Sequence, residues 1–156
     1  MAVQAPSGSY DRTLLALDFD EASKAAGRAA LAMGIFEPTE VVVMHAFDAP
    51  AEGMLRMAME TTDAVDDYVA GERTEAAAKL HGLVRELGLP PSEHRIAAMN
   101  GTPARSILES ARKEDAHLIV LGTNQRKGFE RLLIGSVTED VIRDAHRDVL
   151  IIPTEG

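Results

Sequence analysis

Two stretches of this sequence carry residue types that could do chemistry. In "LLALDFDEAS" the carboxylates Asp18 and Asp20 follow an apolar run directly. In "GTNQRKGFERLLIGSVTED", residues 122–140, a basic loop leads into a helix opened by Gly135 and Ser136. Gly135 lets backbone approach a ligand closely. Ser136 suits an N-cap, and Glu139 three residues on would complete a capping box. The amides of Ser136, Val137 and Thr138 would then lie at a helix N-terminus, where the unpaired donors and the helix dipole favour an anion. Gly122 is expected to clear room at the end of the preceding strand, and Arg126 and Lys127 to offset phosphate charge. The stretch reads as a phosphate cradle. The bland alternative is an ordinary cap followed by a solvated basic loop.

Five apolar runs must position these residues: 13–19, 40–47, 94–99, 117–122 and 149–153. Several are β-branched and nearly continuous, the pattern of strands covered on both faces of a parallel sheet. Helical segments separate them. "DEASKAAGRAALAMG" stops at Gly34, and a long stretch from about Met54 to Leu87 ends at Gly88 before Pro90 and Pro91. "TPARSILESARKEDA" places Pro103 in its first turn, and "SVTEDVIRDAHRD" sets Val137, Val141, Ile142 and Ala145 on one face. The segment 49–68 reads as a loop with a short helix or as the start of the long one. Strand alternating with helix gives an α/β fold with a doubly wound, open, parallel sheet of five strands and helices on both faces. Such sheets bind ligands beyond the carboxyl ends of their strands, where strand order reverses. In a common five-stranded order the first and fourth strands meet there, so Asp18 and Gly122 would face one crevice.

The chain has 156 residues, no cysteine and a formal net charge of −9. Disulfides and thiol chemistry are excluded. The acidity argues against general nucleic-acid binding, because the only basic cluster is Arg126, Lys127 and Arg131. No apolar run approaches a bilayer span, and the first residues lack the pattern of a signal peptide, so a cytoplasmic location is expected. Residues 1–10 read as a flexible lead to a single domain over 11–156.

With these residues in view, the chain resembles the universal stress protein family. The family's glycine motif appears as Gly122, Gln125, Gly135 and Ser136, and "LLIGSVTEDVIRDAHRDVLIIP" is similar to the family's last helix and strand. "YDRTLLALDFDEAS", "VVVMHAF" and "NGTPARSILESA" match in kind and order. The resemblance implies strand order 3-2-1-4-5 in an adenine nucleotide alpha hydrolase-like sheet. It also implies dimerisation through the last strand, Val149 to Pro153. In ATP-binding members an acid at the position of Asp18 contacts the nucleoside, residues at Ala16 and Ala46 line the adenine pocket, and Gly122, Gly135, Ser136 and Val137 match positions holding ribose and phosphates. Gln125 replaces a motif glycine. Were a positive φ required there, Gln would cost about 1 kcal/mol, while its amide could instead donate to phosphate.

The implied function is a stress-response regulatory module that binds ATP or AMP, with or without Mg²⁺, and meets a further protein partner. Hydrolysis, if any, would be slow, since no general base stands beside the cradle. The alternative is a nucleotide-free interaction protein of the same fold, favoured by Gln125. A third reading is a phosphotransferase with Asp18 as nucleophile. It rests on the resemblance of Asp18-x-Asp20 to haloacid dehalogenase-type phosphatases. Ala22 stands where those enzymes need Thr, and "GTNQ" supplies no carboxylate for Mg²⁺. Asp20 is better read as the N-cap of the first helix. The five histidines show no metal spacing, and His45 reads as a hydrogen-bonded core residue.

Overall fold

The structure, a computed structural model, describes residues 10–37, 39–58, 61–89, 94–125 and 135–155. Its strands are β1 (Arg12–Ala16), β2 (Glu40–Phe47), β3 (His94–Asn100), β4 (Leu118–Gln125) and β5 (Asp148–Glu155). Its helices are α1 (Glu21–Ala32), α2 (Glu52–Met57), α3 (Thr62–Leu87), α4 (Pro103–Lys113) and α5 (Ser136–Asp144). The strands form one sheet in the order β3-β2-β1-β4-β5, and every neighbouring pair is parallel. Order reverses between β1 and β4, where Thr13, Leu14 and Leu15 pair with Leu118, Ile119 and Val120.

Strand alternation divides the core between two faces. Leu15, Val41, Val43, Leu118 and Val120 pack with Ala26 and Ala30 of α1 and with Leu80, Leu83, Val84 and Leu87 of α3. Leu14, Val42, Met44, Ile119 and Leu121 pack with Ile107 and Ala111 of α4 and Val141 of α5. Both faces are dry, which is why these strands read as continuous apolar runs. Each buried Leu, Val or Ile contributes about 1.5–3 kcal/mol of transfer free energy.

Local signals fix the helices. Asp20 caps α1, its carboxylate accepting from Ser23 N at 2.7 Å, as the sequence led us to expect. The region left open between loop and helix splits into the short α2 and the long α3. Thr61 caps α3 through Ala64 N, and Gly88 closes it in the left-handed conformation at φ 80°. Met54 and Met57 on α2 are 67% and 86% exposed, so they do not pack in the core.

Residues 1–9 of the expected lead lie outside the described residues. Its last residue, Tyr10, donates a 2.7 Å hydrogen bond to Asp148 at the start of β5. Among the described residues, no helix is long and apolar enough to cross a membrane.

Candidate functional site

A crevice of about 190 Å³ opens at the carboxyl ends of β1, β2 and β4, over the reversal in strand order. Ala16, Met44, Ala46, Ile107, Leu121 and Val137 supply its apolar lining. Asp18 and Asp20 stand at its rim.

The β1–α1 turn that carries Asp18 is held at several points. Leu17 N donates to Met44 O at 2.9 Å, which extends the β1–β2 pairing by one residue. Asp18 N donates to Ser23 Oγ at 2.7 Å, and Phe19 N to Asp18 Oδ1 at 2.8 Å. His45 on β2 is buried. Its Nδ1 lies 2.9 Å from Leu17 O, and its ring packs against Phe19 with centroids 4.3 Å apart. His45 is thus the hydrogen-bonded core histidine expected from its place in an apolar strand.

Three helices begin at the crevice: α1 through Asp20, Ala22 and Ser23, α4 through Pro103, and α5 through Val137 and Thr138. Asp20 occupies the first with its own carboxylate. Neither the N-cap of α4, Thr102, nor that of α5 makes a side-chain capping bond. Two helix N-termini, those of α4 and α5, therefore meet the crevice without a side-chain cap among the described residues, and Glu139 is the acidic residue in the first turn of α5.

Several expectations need correction. β1 ends at Ala16, so Asp18 lies two residues beyond it, in the turn. The N-cap of α5 is Gly135, at φ −67° and ψ 156°, and Ser136 is the first helical residue. The capping box of Ser136 and Glu139 does not form, because Ser136 is already inside the helix. Glu139 N instead donates to Gly135 O at 2.9 Å. β4 does not end at Gly122 but continues to Gln125. A Cβ on Gly122 would stand 2.7 Å from Ala26 Cβ and 3.4 Å from Ala22 O, so its bareness first serves the approach of α1 to β4. Finally, Gln125 is extended and registered with Glu155, so the positive-φ strain considered for it does not arise.

Of the residues singled out from sequence, Ala16, Asp18, Ala46, Gly122 and Val137 line the crevice together. Gly135 and Ser136 are exposed at the start of α5 beside it. Arg126 and Lys127 lie outside the described residues. Sequence reasoning missed Met44, His45, Pro103, Ile107 and Thr138, among others, as lining residues. Pro103 was visible as a helix start, but nothing local says that α4 opens onto this crevice. The described residues contain no group of three or more His, Asp or Glu able to hold a metal ion.

A doubly wound α/β sheet with an apolar crevice at its order reversal, flanked by helix N-termini, is an open-sheet architecture whose crevice is the candidate ligand site. Residues 9–153 match the Universal stress protein family, and the chain belongs to it. Universal stress protein MJ0531 of Methanocaldococcus jannaschii is 30% identical over 92% of this chain and 82% of its own length. The structure of MJ0577 from the same organism is similar with a TM-score of 0.70 at 22% identity, covering 96% of this chain and 99% of that one. A universal stress protein in complex with cAMP is similar at TM-score 0.57 and 19% identity, covering 93% and 98% of the two chains. The Archaeoglobus fulgidus universal stress protein in complex with dAMP is similar at TM-score 0.54 and 22% identity, covering 93% and 99%.

Proposed function

We propose that this chain is an adenine-nucleotide-binding member of the universal stress protein family, one domain over 11–156, acting as a regulatory module in a stress response. The observation that carries the reading is the crevice itself. It has apolar walls, a carboxylate at one rim and an uncapped helix N-terminus at the other. A purine fits the apolar part between Ala16, Ala46 and Val137. Asp18, as a carboxylate, accepts from sugar hydroxyls. The Gly135–Thr138 turn offers donors to phosphate, Gly122 lines the crevice on the β4 side, and Gln125, Arg126 and Lys127 are the proposed helpers. About 190 Å³ is less than the ~300–1,000 Å³ of pockets that enclose a whole ligand, so the phosphates extend outside it. The cAMP and dAMP complexes of the two relatives support an adenine nucleotide. ATP and AMP are the natural candidates. Any Mg²⁺ would travel with the phosphates.

The test is thermal. A ligand bound only by the folded chain raises the melting temperature, by about 5–10 °C when its concentration is about 100-fold above Kd. ATP with Mg²⁺, and AMP, are expected to do this. Constant melting at millimolar nucleotide would instead favour the nucleotide-free interaction reading, which the exposed Met54 and Met57 support.

The proposal extends to a cytoplasmic homodimer. β5 is an outer strand of the sheet, no described strand pairs with its outer edge, and a second copy would pair there through Val149 to Pro153.

A further inference from the structure

His45 does more than fill the core. Val41 and Val43 on β2 pack on the α1/α3 side of the sheet, and strand alternation places His45 on that side as well. Met44 and Ile107 pack on the other side, while Leu17 and His45 themselves join Asp18 among the residues that line the crevice. The imidazole reaches the residues on either side of Asp18. Because a carbonyl only accepts, Nδ1 must carry the hydrogen that binds Leu17 O at 2.9 Å. The ring face meets Phe19 at a centroid distance of 4.3 Å, tilted by 49°. The residue before Asp18 and the residue after it therefore rest on one side chain. Ser23 Oγ holds the amide of Asp18 from the helix side.

We infer that His45 is a positioning residue. It fixes the Leu17–Phe19 turn so that the Asp18 carboxylate faces the crevice in one orientation, and it acts on affinity through Asp18. The inference rests on the reading that Asp18 meets the bound nucleotide, but the ordering of the turn can be measured with no nucleotide present.

Two substitutions separate the hydrogen bond from the ring. His45→Phe keeps an aromatic face for Phe19 and removes the donor. A cavity of about 260 Å³ beside the ring, lined by Phe19, Phe47, Glu72 and Ala76 among others, accommodates the change. His45→Asn keeps a donor at the position of Nδ1 and removes the ring. In ligand-free protein, amide hydrogen exchange at Asp18 and Phe19 is expected to quicken about five- to tenfold in His45→Phe, the worth of one buried hydrogen bond. In His45→Asn it stays within about twofold of the parent, on the same one-bond scale. ATP affinity follows the same order, with His45→Phe weaker and His45→Asn restored. In an Asp18→Ala background, His45→Phe costs no further affinity although it still lowers the melting temperature.

Unchanged exchange at Asp18 and Phe19 in His45→Phe would overturn the inference. So would losses of affinity that add in the double variant, since His45 would then be meeting the ligand directly. A turn loosened in His45→Phe and held in His45→Asn, in a protein that takes up no nucleotide, would uphold the positioning role and reject the proposed function.

Discussion

The phenol of Tyr10 joins the entry of β1 to the first residue of β5, and its chemistry gives that contact a pH signature. Loss of solvent, then the hydrogen bond to Asp148 and the negative charge of that carboxylate, push the phenol up to about 12. An unfolded tyrosine titrates near about 10. A group whose pKa is raised on folding stabilises the fold while protonated. The contribution is therefore complete below about pH 10 and is lost as pH climbs towards about 12. Denaturant midpoints of the parent and of Tyr10→Phe should differ in favour of the parent near neutral pH. The gap should close over that alkaline window, because only the parent has a proton to lose. A gap independent of pH would mean that the ring's packing, not its hydroxyl, does the joining.

Among the elements, the contact of α1 with β4 governs the shape of the crevice. Gly122 lets the helix approach so closely that an added Cβ would lie 2.7 Å from Ala26 Cβ, with the Ala22 carbonyl at 3.4 Å behind it. Backbone cannot swing aside as a flexible side chain would. Gly122→Ala is expected to push α1 outward and to cost about 1–3 kcal/mol, readable in the denaturant midpoint without loss of the folded baseline. The same shift moves Asp20, Ala22 and Ser23 at the crevice rim, so nucleotide affinity should fall with stability. Little change in either would show that α1 has slack the close contact does not suggest.

How far the elements could be read in advance follows from how local their causes are. The strand runs were legible because both faces are buried and β-branched residues crowd into short segments. The cap of α1 was legible because Asp20 and Ser23 sit three residues apart. The start of α5 was misplaced by one residue because glycine and serine both suit an N-cap, so the pair "GS" leaves the boundary open. The role of Gly122 was misread because its constraint comes from Ala26, nearly a hundred positions away in the chain. Ile107 and Pro103 escaped notice for the same reason: α4 reaches the crevice only through the sheet's topology.

At the scale of the whole molecule, β5 ends the sheet with an edge that carries Val149, Leu150 and Ile151, all partly exposed, and Pro153, which lacks a backbone donor. Pairing with a second copy would cover this edge. Light scattering should give twice the mass of one chain, and Ile151→Lys should return the single-chain mass by placing a charge in the shared strand pair. A single-chain mass for the parent would sink the dimer and leave the crevice untouched.

The central claim is that the crevice between Asp18 and the open N-terminus of α5 holds an adenine nucleotide. It is tested most directly by following the backbone amide resonances of the labelled protein as ATP is added. The account predicts saturable shifts at Asp18, Ala46, Ser136 and Val137, with the far ends of the strands unmoved. Resonances that stay fixed at millimolar ATP, or shifts gathered away from these four residues, would contradict it.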